Sequence, residues 1–209
     1  GILEDHGVSI TKSDIRVIDQ GSYKYNTTIK DEVVDRDVAI IIPLDTSDNG
    51  DPRAIKRFLR DSIAIPSRTV TIKDPCVRAS YYEAGKEWLH IDLPLYAQDG
   101  SSMYLARGKE NGSNFSWESA DPEGLNDYLC GKINGNDQLR RIVCFTKKWR
   151  NEKYSGASSD HEAPPSIGLT LLACDCFSAQ STNDGDYDLL ALQKTMKAIL
   201  DMFFVTRDL

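Results

Sequence analysis

The sequence predicts an α+β chain in which a sheet half leads and a helical half follows. Three observations carry that expectation. Short β-branched and apolar runs fill the first hundred residues. Apolar residues recur at helical spacing through the last seventy. No internal repeat or low-complexity tract interrupts either pattern.

The elements follow in order. After a turn-like Asp19-Gln20 and Gly21-Ser22, residues 33–44 read Val-Val-Asp-Arg-Asp-Val-Ala-Ile-Ile-Ile-Pro-Leu, a central strand. Residues 45–52 are a polar turn cluster ending Asn49-Gly50-Asp51-Pro52. A helix starts at Pro52, with Ile55, Phe58, Leu59 and Ile63 at helical spacing. Residues 68–73, 77–82 and 88–96 read as strands, and Glu83-Ala84-Gly85-Lys86 is a hairpin turn between the last two. Residues 97–137 are rich in Gly, Ser and Asn and poorly periodic, apart from a helical signal over 122–129. Leu139, Ile142, Val143, Thr146 and Trp149 share one helix face. A loop over 151–165 precedes a compact apolar helix over 166–177. A last helix over 187–204 carries Leu189, Leu192, Met196, Ile199 and Phe203 in register.

The 209 residues are 40% hydrophobic and 27% charged, as a soluble globular protein requires. No apolar run approaches the ~20 residues of a membrane helix. The formal net charge is −7, which argues against coating a long nucleic acid, since such binders neutralise phosphates with basic residues. A pocket for one phosphate compound with a metal is still compatible. The N-terminus, Gly1-Ile2-Leu3-Glu4-Asp5-His6, lacks the pattern of a signal peptide and reads as mature or trimmed. The five cysteines are odd in number and irregularly spaced, so free thiols in a reducing cytoplasm are expected. Cys174-Asp175-Cys176 has no second Cys pair to complete a zinc site.

Asp35 and Asp37 lie two apart in an apolar strand, so both face the same way. Adjacent carboxylates repel and resist desolvation, and a cation between them removes both costs. Asp92 repeats the pattern: Leu89, Ile91, Leu93 and Leu95 take one face and Asp92 the other. If the two strands are neighbours, the three carboxylates converge. Hard oxygen donors suit Mg²⁺ or Mn²⁺ with nucleotide phosphates. The plainer alternative is a solvated edge strand with unrelated acids. Gly21-Ser22, thirteen residues before Asp35, adds a turn whose glycine admits a phosphate close to the backbone.

Gly-Ser, Asp-x-Asp in an apolar strand and a third Asp in a later strand resemble the polymerase-β-like nucleotidyltransferases. Further segments narrow the resemblance. Residues 20–27, 34–37 leading to Pro43-Leu44, and 90–97 are similar to bacterial CD-NTases, most of all the cyclic GMP–AMP synthase (DncV-like) branch. So are residues 117–122, Leu139-Arg140-Arg141 through Lys147-Lys148-Trp149-Arg150, and 163–169, in the same order. The resemblance implies a nucleotidyltransferase lobe over 1–110, a helical lobe over 111–209, and an active site in the cleft between them. It also implies departures. Only nineteen residues precede Gln20, where the family opens with a long helix. The stretch from Ala97 to Trp117 is short, and the helical lobe is expected to be truncated after Leu209.

By resemblance, Asp35, Asp37 and Asp92 are the catalytic triad holding two Mg²⁺ or Mn²⁺ ions, with Asp92 also helping to deprotonate the attacking ribose hydroxyl. Gln20, Gly21 and Ser22 hold the donor triphosphate, and Lys147 and Ser166 reach the same phosphates. Lys148 is an alternative to Lys147. Arg78 sits near the acceptor nucleotide, and Asp121 and Tyr25 near the bases. Plainer readings stand beside these: a solvated helix face for Lys147, a cross-strand partner of Glu83 or Glu87 for Arg78, and core packing for Trp149. Tyr23 and Tyr25 point to alternate faces, so at most one faces the site.

The implied activity is cytoplasmic synthesis of a cyclic di- or trinucleotide from ATP and/or GTP. A ribose hydroxyl attacks the donor α-phosphate in line, and the product activates a downstream effector in antiphage signalling. The alternatives are a catalytically silent nucleotide-binding module and a linear nucleotidyltransferase acting on RNA or a small acceptor.

Overall fold

The structure is a computed structural model that describes residues 11–30, 33–155 and 163–205. It divides into two units. The first comprises residues up to Lys24 together with Lys30–Leu125; the second comprises Tyr25–Ile29 and the residues from Asn126 onward. The architecture is mixed α+β, as the sequence predicts.

The first unit is built on an eight-stranded sheet. Its elements are β1 (Arg16–Gln20), a one-turn α1 (Gly21–Lys24), β2 (Val34–Pro43), α2 (Pro52–Ile63), β3 (Thr69–Ile72), β4 (Val77–Glu83), β5 (Lys86–Leu93), β6 (Leu95–Asp99), β7 (Ser102–Gly108) and β8 (Phe115–Ala120). The order is β3-β4-β5-β2-β6-β7-β8, with β1 antiparallel to β2. β2 is central, as its β-branched run requires.

The expected strand over 88–96 divides at Pro94. The parallel register is unchanged across the break: Val34 pairs with Leu89 before it and Ile40 with Leu95 after it. Proline lacks an N–H and interrupts the ladder there, while its carbonyl still accepts from Ile40 at 2.9 Å. The hairpin turn expected at 83–86 is present. Ala84 and Gly85 have φ of 49° and 78°, as a two-residue primed turn needs.

Two strands fall in the stretch read as poorly periodic. β7 and β8 pair antiparallel from Met103↔Ala120 to Gly108↔Phe115. Their alternation is blurred because β8 is mostly exposed. The pairing also ties residues 111–125 to the sheet unit, whereas the sequence places them in the helical half.

Helix α2 begins as Pro52 and Asp51 dictate: proline sits at the first position and the Asp51 side chain accepts from the Arg53 amide. One core joins α2 to the sheet through Ile42, Leu44, Ile55, Leu95, Ala97 and Ala106, with Leu59 and Trp117 against it. On the other face of the sheet, Ala39, Ile41 and Tyr96 pack with Ile18, Met103 and Leu105. Lys56 is completely buried at the foot of α2, donating to the carbonyls of Lys73, Asp74 and Gly108 at 2.6, 2.7 and 2.8 Å.

The second unit holds α4 (Asp137–Lys153), α5 (Ser166–Cys176), a small hairpin of β9 (Ser181–Thr182) and β10 (Gly185–Asp186), and α6 (Asp188–Val205). α3 (Pro122–Ile133) leads into it. Asn136 caps α4 by accepting from the Leu139 amide. The buried side of α4 is Leu139, Ile142, Val143, Thr146 and Lys147. Trp149, expected in the core, is instead 46% exposed and meets Tyr154 edge-on. In α6 the buried residues are Ala191, Thr195 and Ile199, while Leu189 and Phe203, expected in the apolar register, are exposed. All five cysteines are free thiols, as expected. Among the described residues, no helix is long and apolar enough to cross a membrane.

Candidate active site

The site grows from the pleat of β2. Ile40 and Ile42 turn to the α2 side; Ala39 and Ile41 turn to the other. Period two puts Asp37 and Asp35 on the Ala39 side. β5 runs parallel with Asp92 opposite Asp37, so the third carboxylate arrives on the same face. One oxygen from each of Asp35, Asp37 and Asp92 lies within 4.8 Å of the others. The convergence that the sequence made conditional on neighbouring strands is therefore present.

The turn after β1 closes one side of this cluster. Gly21 has φ +69°, and a Cβ there would lie 1.9 Å from Asp37 Oδ2 and 2.7 Å from its Cγ. Both the backbone conformation and the space exclude a side chain. Gln20 stands opposite Asp37 in the antiparallel ladder, and its side chain hydrogen-bonds the Tyr96 phenol. Burial pushes the Tyr96 pKa up. Ser22 follows Gly21 in α1. Tyr23 is exposed, with the Arg36 guanidinium 3.6 Å above its ring.

Arg78 pairs with the third carboxylate rather than with Glu83 or Glu87. Its Nε and Nη2 donate to Asp92 Oδ1 and Oδ2 at 2.6 and 2.7 Å, the bidentate geometry that a planar guanidinium favours. This pair holds the Arg78 pKa above its usual value, against the opposing effect of burial. Cys76, two residues earlier, is buried beside Asp92. Burial, reinforced by that carboxylate, pushes its thiol up to about 12, so it stays protonated and unreactive.

Two residues behind Asp35 carry no role in the sequence reading. His90 Nε2 lies 2.9 Å from Asp35 Oδ1, and His90 Nδ1 lies 3.5 Å from Glu87 Oε1. A signal for His90 was present: it sits two residues before Asp92 in a strand, hence on the same face.

Asp121 caps α3, accepting from the Gly124 amide at 2.7 Å. Tyr25, Lys147 and Ser166 lie in the second unit. Tyr25 is 3% exposed and its hydroxyl donates to Asn126 Oδ1. Lys147 is buried, with Nζ 3.3 Å from both the carbonyl and the hydroxyl oxygen of Thr27. It is not the solvated lysine of the plainer reading. Lys148 is the surface lysine, paired with Glu152 at 2.9 Å. Ser166 is the first residue of α5, and its carbonyl accepts from Thr170.

The carboxylate cluster fits a hard divalent cation. Its three donors are all carboxylate oxygens, and the Gly21 turn presses against one of them without a side chain to block it.

Residues 15–96 match the family described as cyclic GMP-AMP synthase DncV-like, nucleotidyltransferase domain. Among solved structures, the fold is similar to the cyclic AMP-GMP synthase DncV of Vibrio cholerae, described as a prokaryotic cGAS homolog. The TM-score is 0.58 at 21% identity, over 97% of this chain and 53% of that one. The same enzyme in complex with the linear intermediate 5′ pppA(3′,5′)pG gives a TM-score of 0.59 at 23% identity, over 93% and 51%. DncV of Escherichia coli with bound 3′-deoxy GTP gives 0.60 at 24%, over 88% and 50%. This chain therefore spans about half the length of those proteins. No curated protein sequence matches it. The triad, the Gly21 turn and Arg78 all lie within the stretch, residues 15–96, that matches this nucleotidyltransferase family.

Proposed function

We propose that this chain is the nucleotidyltransferase portion of an enzyme that joins ATP and/or GTP into a cyclic di- or trinucleotide. The observation that carries the reading is the convergence of Asp35, Asp37 and Asp92 beside the side-chain-free turn at Gly21. The fold is shared with a cyclic dinucleotide synthase, which supports the choice among nucleotidyl transfers.

Asp35, Asp37 and Asp92 would hold Mg²⁺ or Mn²⁺, which supplies positive charge to the transferring phosphate. The chain's own residues do the rest. Gln20, Gly21 and Ser22 take the donor triphosphate, with the glycine letting the backbone approach closely. Asp92 accepts the proton of the attacking ribose hydroxyl, and the α-phosphate gives up pyrophosphate as leaving group. Arg78, already anchored to Asp92, orients the acceptor nucleotide. Lys147 and Ser166 are assigned to the triphosphate, and Tyr25 and Asp121 to the bases, by resemblance alone. The product would act on an effector in a cytoplasmic antiphage response.

The test is incubation with α-labelled ATP and GTP and Mg²⁺ or Mn²⁺. A labelled product resistant to phosphatase is expected from wild type and absent from Asp35→Ala/Asp37→Ala. A product whose mass by mass spectrometry is that of an open chain rather than a ring would identify a linear transferase. Nucleotide binding by calorimetry without any product would identify a silent binding module.

A further inference from the structure

The three carboxylates of the site are steadied in different ways. Asp92 is gripped by both nitrogens of Arg78. Asp37 is confined by the Gly21 turn on one side. Asp35 has a side chain that is 50% exposed, and a carboxylate rotates freely about its last torsion when nothing fixes it. What stands behind Asp35 is His90, its register partner in the parallel β2–β5 ladder, with Nε2 at 2.9 Å.

His90 is itself backed. In a regular strand Glu87 would point away from His90, three residues on. The ladder between β4 and β5 shifts register between Tyr81 and Tyr82: Tyr81 pairs with Leu89 and Tyr82 with Glu87. Trp88 is the extra residue of a bulge, and a bulge re-aims the side chains that flank it. Glu87 is thereby turned to His90's side, 3.5 Å from its Nδ1. Both Glu87 Oε1 and His90 Nδ1 are buried without a hydrogen-bond partner. Buried polar atoms are normally satisfied, so two that face each other at that distance mark a contact that a small turn of the ring completes.

We propose that His90, backed by Glu87 across the β5 bulge, is a positioning residue that fixes the Asp35 carboxylate for divalent-cation binding. One Asp35 oxygen is committed to the imidazole and the other is presented to the ion. Groups behind a metal ligand commonly set its orientation in this way. The inference rests on the metal reading of the three aspartates and goes beyond it, because neither residue is a ligand.

The experiment is a titration with Mn²⁺ alone, following free Mn²⁺ by electron paramagnetic resonance, with metal-free thermal unfolding measured in parallel. His90→Ala is expected to weaken Mn²⁺ binding by about 10- to 100-fold. His90→Gln, whose amide nitrogen stands where Nε2 does, is expected to recover most of that loss. Glu87→Gln, a milder change that keeps the side-chain shape, is expected to lose about three- to tenfold, less than the full outer-group effect. Wild-type affinity in both His90→Ala and Glu87→Gln would overturn the proposal. So would equal losses in His90→Ala and His90→Gln accompanied by equal drops in unfolding temperature, which is the mark of a packing role. If wild type binds Mn²⁺ no better than Asp35→Ala/Asp37→Ala, the metal reading itself fails, and that outcome is distinct from the others.

Discussion

The sheet unit and the helical unit each bury a lysine, and the two are held very differently. In the sheet unit, Lys56 donates to three backbone carbonyls at 2.6–2.8 Å and is sealed under α2. In the helical unit, Lys147 meets Thr27 at 3.3 Å. Lys56 has the contacts of a fastener: it ties α2 to the loop after β3 and to the end of β7. The contacts of Lys147 to Thr27 are longer than these, and the resemblance assigns its side chain to phosphate. The contrast extends to the sites. The carboxylates of the sheet unit are placed by strand register, which backbone hydrogen bonds fix to within a residue. The candidates of the helical unit are placed by helix packing, which no local pattern fixes.

The sharpest challenge to a register-built site is Asp35→Ala with Asp37→Ala. Nucleotidyl transfer should fall on the order of 10³-fold, with the fold retained by circular dichroism. Retained turnover would mean that the register assembles a site the chemistry does not use.

Gly21→Ala probes the same site through geometry alone. The added Cβ must push Asp37 aside from 1.9 Å, and a displaced catalytic group costs about 10²-fold in turnover. Steady-state kinetics at saturating metal would show it; unchanged kinetics would place Asp37 outside the working site.

Lys56→Met tests the fastener. Three carbonyls lose their donor, an expected cost of about 2 kcal/mol in urea unfolding at pH 7. Burial lowers the Lys56 pKa from 10.5 to about 8. The folded chain therefore releases this proton before the unfolded chain does, and between those values the unfolded state binds more protons. Stability from this group rises with pH across that window. The margin of wild type over Lys56→Met should widen from pH 8 to 10.5; a shrinking margin would show that the three carbonyls hold the ammonium charged.

Lys147→Met should be milder for stability, within about 1 kcal/mol. It should raise the Kd for ATP or GTP about tenfold if the lysine serves phosphate, as losing one charge-assisted hydrogen bond does. Calorimetry separates the two effects. A loss of stability with unchanged nucleotide affinity would make Lys147 the equal of Lys56.

Asp121 gives the smallest effect. Asp121→Ala removes the α3 cap and should cost about 1 kcal/mol, while Asp121→Asn, which can still cap, should be near neutral for stability. A change in ATP against GTP preference in the Asn variant would add a base contact to the capping role.

Much of this was legible in the sequence, and the reasons differ by residue. Asp35 and Asp37 were readable because period two is a local property of a strand. Asp92 was readable as a face, and its meeting with the other two depended on β5 lying beside β2. Strands β7 and β8 were missed because an exposed edge hairpin carries little alternation to read. Trp149 was misjudged because an apolar residue at helical spacing reveals which way it points only once the neighbours of the helix are known. The plainer reading of Arg78 made it a cross-strand partner of Glu83 or Glu87, and the ladder sets it opposite Asp92 instead.

What the amino-acid order determined by itself was the repeating pattern: a central apolar strand with two acids on one face, a glycine turn before it, and helices after the sheet. Each follows from backbone periodicity and from glycine's freedom at positive φ, which act over a few residues. What the tertiary structure alone decided was every pairing across the chain. Arg78 meets Asp92, His90 meets Asp35, a bulge turns Glu87 to His90, and Lys56 finds three carbonyls. Arg78, His90 and Lys56 meet partners on separate elements, and Glu87 is turned within its own strand by a shift in the β4–β5 ladder, so the register of the assembled sheet is needed for each.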